Sequence, residues 1–147
     1  MNNVKRSQSG IAAIELAITL PILLLLLVGI SELSRALIQL NTLTKAVQNG
    51  ARFAVVDIYG TNSANTIANP ADIKNVVVYG NKLGSGNKVL NNLTTSDVVI
   101  SQPTNYVIIT TSYNFTPVFA TLPAFFGYGG DSLSFGFSAS TAMRTSP

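Results

Sequence analysis

Residues Ile11 to Ile30 read IAAIELAITLPILLLLLVGI, twenty residues that carry one charge, Glu15. At 1.5 Å of rise per residue, about 20 helical residues span roughly 30 Å, the hydrocarbon thickness of a bilayer. Lys5 and Arg6 stand just before the block, and Glu32 and Arg35 just after it. A cleavable secretory signal has a shorter apolar core, with a small-residue cleavage site beyond it. Here SELSRALIQL follows and continues a helix, so the segment reads as a retained membrane span. Lys5 and Arg6 favour a cytoplasmic N-terminus, a bias weakened by Arg35 and Lys45 on the other side. The polar, strand-rich tail is the stronger reason to place the C-terminal part on the exported side.

Two residues in the block are unusual there. Pro21 costs about 3 kcal/mol in a soluble helix interior, although membrane helices tolerate proline better. A carboxylate such as Glu15 costs roughly 2.5–3.5 kcal/mol at the centre of a span, and acids within spans are functional candidates. At the fifth position of the block, Glu15 reads two ways. It is either an interfacial acid marking a late start of the span or a residue with a task.

Outward from the block, apolar residues recur at Ile30, Leu33, Leu37, Leu40, Leu43, Val47, Ala51 and Ala54. Steps of three and four make one stripe of an amphipathic helix, against which a small domain can pack. No turn cluster interrupts it before Asp57-Ile58-Tyr59-Gly60. The helix is therefore expected from about Ile11 to about Val56, roughly 46 residues and on the order of 70 Å. Its parts are a span over 11–30 and an amphipathic continuation over 31–56. Ala46, Gly50 and Ala54 form a small-xxx-small row that permits close approach, with packing inside the chain as the expected use.

The tail, residues 57–147, reads as an α+β domain. Stretches rich in Asn, Ser, Thr and Gly over 61–70 and 81–92 are loops. Between them, Asn69-Pro70 and Gly80 bracket ADIKNVVVY as cap, first-turn proline and glycine stop, which predicts a short helix. Val76 to Tyr79 suits a strand as well. Asp97 to Ser101 is short and β-branched, and 102–105 is a turn. Tyr106 to Phe115 alternates Val107, Ile109, Thr111, Tyr113 and Phe115 on one face. Ser132 to Met143 alternates Leu133, Phe135, Phe137, Ala139 and Met143 against serines and glycine. The fold class expected is α+β: a long N-terminal helix on a small antiparallel sheet with one face buried and one wet. Phe119, Phe125, Phe126 and Tyr128, in the connector between the last two strands, suit either the core or a contact with another subunit.

The segment from Lys5 to Glu15 is a basic, polar leader, then Gly10, then an apolar run with Glu at its fifth position. It resembles the processing site of type IV pilin-like proteins, where a prepilin peptidase cuts after the glycine. The longer stretch GIAAIELAITLPILLLLLVGISELSRAL is similar to the TadE-like family, minor pilins or pseudopilins of the tight-adherence (Tad/Flp) pilus system. The matching positions are Gly10, Glu15, Pro21, Leu23 to Leu27, Gly29, Glu32 and Arg35 to Leu37. Ala46 to Ala54, AVQNGARFA, resembles the family's A-x-x-x-G-A-R-aromatic-A segment. Leu16 stands where many pilins of this system have Tyr, and Ile11 where type IVa pilins begin with Phe. Both departures favour the TadE-like subgroup.

The resemblance implies a pilin-like fold, a cytoplasmic leader over 1–10 and cleavage between Gly10 and Ile11. It also implies a role for Glu15 in pairing with the new α-amino group of a neighbouring subunit. The implied partners are the prepilin peptidase, other pilin and pseudopilin subunits, the inner-membrane assembly platform and the lipid bilayer. It implies no cofactor, and a bacterial inner-membrane location with the C-terminal domain in the periplasm or, after assembly, in the pilus. The chemistry suits the motif. A glycine lets a peptidase approach the backbone closely, and Lys5 and Arg6 hold the leader in the cytoplasm.

Composition excludes much else. The 147 residues contain no Cys and no His, so thiolate chemistry, Cys-type zinc sites and a Ser-His-Asp triad are out of reach. Gly84-Ser85-Gly86-Asn87-Lys88 lacks the spacing of a phosphate-binding loop. Asp57, Asp72, Asp97 and Asp131 are too scattered for a calcium loop. The net charge of +3 dissolves on inspection, because Lys5 and Arg6 belong to the leader and the tail has four bases against four acids. A nucleic-acid partner loses its only support. A membrane-anchored binding or scaffold module outside any fibre is the alternative, and it leaves Gly10 and Glu15 as coincidence.

Overall fold

The computed structural model describes residues 4–56, 67–118 and 132–145. The chain divides into two compact units, Met1–Arg35 and Ala36–Pro147. Helix α1 runs over Val4–Val56 without a break. It begins seven residues before the expected start at Ile11, because nothing in VKRSQSG stops a helix. A lone glycine costs only about 1 kcal/mol in a helix interior, and no proline precedes Pro21. Pro21 lies inside the helix, where it removes one backbone donor without ending it.

In the first unit most of α1 is exposed, and Val28, Glu32 and Arg35 are half-buried. From Gly10 to Leu27 every residue is exposed. Among the described residues one helix is long and apolar enough to cross a membrane, with a best-window mean hydropathy of 2.7 and none of that window buried. Such a helix is a membrane anchor in length and composition. Two of its hydroxyls are turned back on the backbone. Thr19 Oγ1 donates to the Glu15 carbonyl at 2.9 Å and Ser34 Oγ to the Ile30 carbonyl at 2.9 Å, which removes their polarity from the surface without a partner chain. Glu32 and Arg35 neutralise each other one turn apart, Nη1 to Oε2 at 2.7 Å.

The second unit is built on one core. It takes Ala36, Leu43, Ala46, Val47, Ala51 and Ala54 from α1 and Ile73, Val77 and Val78 from helix α2, Pro70–Tyr79. Three strands complete it: β1, Val98–Ser101; β2, Tyr106–Phe115; and β3, Phe135–Arg144. Their order is β1-β2-β3, antiparallel throughout. The arrangement is α+β, a long N-terminal helix packed against a small three-stranded antiparallel sheet.

The local signals explain the elements. Asn69 Oδ1 accepts from the Ala71 N–H at 3.0 Å, Pro70 opens α2, and Gly80 closes it at φ 72°. That left-handed conformation is one that only glycine adopts without cost. The segment is a helix through Tyr79, so the strand reading of Val76 to Tyr79 is set aside: the caps and the buried stripe of Ile73, Val77 and Val78 decide for it. In β2 the odd-numbered residues Val107 to Phe115 are buried and alternate with more exposed ones, the period of two expected of a sheet with one dry face.

Two expectations need correction. The apolar stripe begins lower on α1 than periodicity indicated: Ile30, Leu33 and Leu37 are exposed, and the buried row is Ala36, Leu43, Ala46, Val47, Gly50, Ala51 and Ala54. Steps of three and four fit either of two neighbouring rows on a helix. Close packing selects the row that carries the small residues, because there the backbones can approach. The last strand starts at Phe135, while Ser132 makes only an isolated bridge. Ser132 Oγ instead receives the Ser134 N–H at 3.2 Å, a local turn bond that competes with strand pairing.

Candidate functional site

The residues singled out by sequence lie mainly along α1. Gly10 and Ile11 are consecutive helical residues, and a Cβ built on Gly10 would meet nothing within 4 Å. Packing within the chain therefore gives no reason for glycine here. What glycine does supply is a helix turn that unwinds about 1 kcal/mol more readily than one with alanine. The side chains of Lys5 and Arg6 lie outside the described residues, although the backbone there is helical.

Glu15 is exposed one turn after Ile11, and among the described residues no base pairs with it. A carboxylate on an otherwise apolar surface is therefore available to a positive group brought from outside this chain. The apolar surface around it is continuous, with Ile11, Ile14, Leu16 and Ile18 all more than half exposed.

The small-residue row sits at the other end of α1. Ala46, Gly50 and Ala54 are buried in the core of the second unit. A Cβ on Gly50 would collide with Val77 Cγ2 and touch Ile109 Cδ1 at 3.6 Å. At Gly50, α1 is thus in close contact with α2 and β2, and the row serves packing inside the chain. Beyond Ala54 the helix hands on a backbone bond, the Ala68 N–H donating to the Ala54 carbonyl at 3.0 Å. Arg52 and Lys45 face solvent from the same helix.

Residues 10–52 match the family model described as TadE-like protein. This segment of the chain is TadE-like. The matched segment takes in Gly10, Glu15, Pro21, Gly50 and Arg52, the positions on which the sequence resemblance rested. The match covers the long apolar part of α1 and most of its continuation into the second unit. No curated protein sequence and no solved structure matches the chain.

Outside the TadE-like segment the polar groups do structural work. The Asp97 carboxylate accepts from the Thr94 N–H at 2.8 Å and the Thr94 hydroxyl at 2.6 Å, bracing the 3-10 turn Thr95–Asp97 ahead of β1. Asp72 occupies the first turn of α2 and pairs with Lys82 Nζ at 3.7 Å. Asp57 and Asp131 lie outside the described residues, as do Phe119, Phe125, Phe126 and Tyr128. Among the described residues no three acids come together in a way that could hold a metal ion. The loop after α2 is held by amides that the sequence showed only as loop composition. Asn81 Nδ2 donates to the Ser85 carbonyl at 2.6 Å, and Asn75 Nδ2 donates to the Lys82 carbonyl at 3.2 Å.

Proposed function

We propose that this chain is a non-enzymatic minor pilin or pseudopilin of a Tad/Flp-type pilus, cut by a prepilin peptidase after Gly10. It takes part in assembly or priming of the fibre, which serves adhesion and biofilm formation. The observation that carries the reading is the start of α1, where Gly10 has no packing role and precedes by five residues an exposed carboxylate on an apolar helix. Removal of residues 1–10 releases an α-amino group on Ile11. In a bundle of such helices that amine needs a negative partner in an apolar setting, and Glu15 of a neighbouring copy supplies one. A buried ion pair of this kind favours register more than stability, because a misaligned subunit leaves a charge uncompensated.

In this reading the N-terminus is cytoplasmic, the span crosses the bacterial inner membrane, and the second unit is periplasmic until assembly. Its partners are the peptidase, other pilin and pseudopilin subunits, the assembly platform and the bilayer. The test is to co-express the chain with its cognate prepilin peptidase and weigh the product. The expected mass lacks Met1 to Gly10, and Gly10→Leu restores the full mass. A full-length product beside an active peptidase sinks the reading in favour of a tethered binding or scaffold module. In the same system Glu15→Ala is expected to be cleaved normally yet to yield few pili.

A further inference from the structure

Among the described residues Leu83 is the most exposed large apolar side chain, at 86%. A stray surface leucine is ordinary, but this one is held out by its surroundings. On its N-terminal side the Lys82 carbonyl accepts from Asn75 Nδ2 at 3.2 Å. On its C-terminal side the Ser85 carbonyl accepts from Asn81 Nδ2 at 2.6 Å, and the Ser85 N–H donates back to Asn81 Oδ1 at 3.4 Å. Gly84, at φ 66°, turns the chain directly after the leucine, in a conformation that strains other residues. The base beside Leu83 is engaged as well. Lys82 Nζ lies 3.7 Å from the Asp72 carboxylate and 5.6 Å from the centre of the Phe53 ring. The tip is thus apolar, its adjacent charge is paired, and its shape is set before any partner arrives.

The same unit carries an apolar recess of about 490 Å³ between the first turns of α2 and strand β1. Ile67, Pro70, Val98, Val99 and Ile100 line it, with Lys74 and Ser96. Val99 is 61% exposed there, an apolar surface without a cover among the described residues. The leucine and the recess lie on different sides of α2. Taking Pro70 as the origin and 100° per residue, Asp72 and Asn75, which hold the loop, stand at about 200° and 140° round the helix. Lys74, in the lining of the recess, stands at about 40°. Leu83 is held on the side away from the recess of its own chain.

We propose that Leu83 of one copy enters this recess on the next copy of the same chain. An apolar knob and an apolar hole on opposite sides of one unit make a head-to-tail contact, which repeats from copy to copy instead of closing on a pair. Such a contact is generated by translation, or by rotation about the membrane normal, so every chain keeps the same direction of insertion. A preorganised tip gains most from a socket of fixed shape, because little freedom remains to be lost on binding. A bilayer offers no such socket, and a single leucine on a polar loop buries little apolar surface in one. Copies anchored in one membrane meet at a raised effective concentration, so a small contact suffices to order them. The inference adds a self-association surface to the pilin reading. It does not depend on cleavage after Gly10, which the mass measurement tests separately.

The chain has no cysteine, so cross-linking can be directed to the two surfaces. Ser85 serves the loop through its backbone, and both Ser85 and Ser96 are exposed. The full-length Ser85→Cys/Ser96→Cys variant, in phosphatidylcholine–phosphatidylglycerol vesicles, is treated with a short bismaleimide. The expected product is a ladder of dimers, trimers and tetramers, whereas Ser85→Cys alone gives none. Leu83→Lys brings a like charge to Lys74, and Val99→Lys puts a charge in the recess. Each, added to the double variant, is expected to cut the ladder about tenfold with the melting temperature unchanged, while Leu83→Met keeps it. No ladder, or a ladder that survives Leu83→Lys, overturns the proposal. Cross-linking that stops at the dimer shows a two-fold contact and overturns the head-to-tail row. Quenching of a fluorophore on Ser85→Cys by lipid-borne quenchers assigns the tip to the bilayer and overturns the proposal as well.

Discussion

The two halves of α1 use leucine for different ends. Leu24, in the leucine run, is more than half exposed, whereas Leu43 is completely buried between the elements of the second unit. The first faces a solvent-like environment in which any apolar side chain of similar transfer energy serves. The second faces a packed interior in which shape counts as much as polarity. In the span, chemistry is set by the medium, and in the domain by the neighbours.

This contrast predicts unequal responses to the same substitution. Leu43→Ala removes buried atoms and leaves a cavity, and it is expected to cost about 3 kcal/mol. Leu24→Ala is expected to leave the stability of the domain unchanged and to weaken insertion by on the order of 0.5 kcal/mol. Thermal unfolding of the full chain in detergent, followed by near-ultraviolet circular dichroism, compares the two. Equal melting temperatures would break the contrast.

A second comparison uses the two glycines that bracket the TadE-like segment. Gly50→Ala gains helix propensity of about 1 kcal/mol, but its methyl collides with Val77, which is completely buried and has nowhere to go. Overpacking of this sort costs about 1–3 kcal/mol, so a net loss of about 1 kcal/mol is expected in denaturant titration. Gly10→Ala meets no neighbour and is expected to leave the domain's midpoint untouched, so a shift there would show that Gly10 packs after all.

The smallest effect is expected at Thr111. Its hydroxyl is fully buried in the core face of β2 and has no hydrogen-bond partner among the described residues. An isosteric valine removes an unsatisfied polar atom and keeps the volume. Thr111→Val is therefore expected to raise stability, by up to about 1 kcal/mol. A destabilised variant would reveal a partner for the hydroxyl.

Much of the fold was legible because its signals are local. Asn69, Pro70 and Gly80 delimit α2 by capping chemistry that needs no tertiary partner. The alternation from Val107 to Phe115 assigns β2 and its dry face because a strand has only two faces. The buried row on α1 was legible in part. Leu43, Val47, Ala51 and Ala54 of the expected stripe and the small row of Ala46, Gly50 and Ala54 enter the core, whereas Ile30, Leu33 and Leu37 stay exposed and Ala36 is buried instead. The contacts that Gly50 meets at Val77 and Ile109 come from distant parts of the chain, and nothing in α1 alone announces them. The amide clamps of Asn75 and Asn81 were hidden for a related reason, since asparagine in a loop has many possible partners.

At the candidate site the division runs differently. The spacing of Gly10, Glu15 and the apolar run is covalent, so the sequence by itself determined the motif, the length of the span and its likeness to TadE. Exposure needed coordinates, because a glycine or an acid can be retained for packing. Among the described residues a Cβ on Gly10 would meet nothing, and Glu15 is exposed with no base paired to it. Tertiary packing, in turn, decided which row of α1 enters the core and why position 50 is glycine. The physical reason is range: helix, cap and membrane signals act within a few residues or against a uniform medium, whereas close packing depends on atoms brought together from distant parts of the chain.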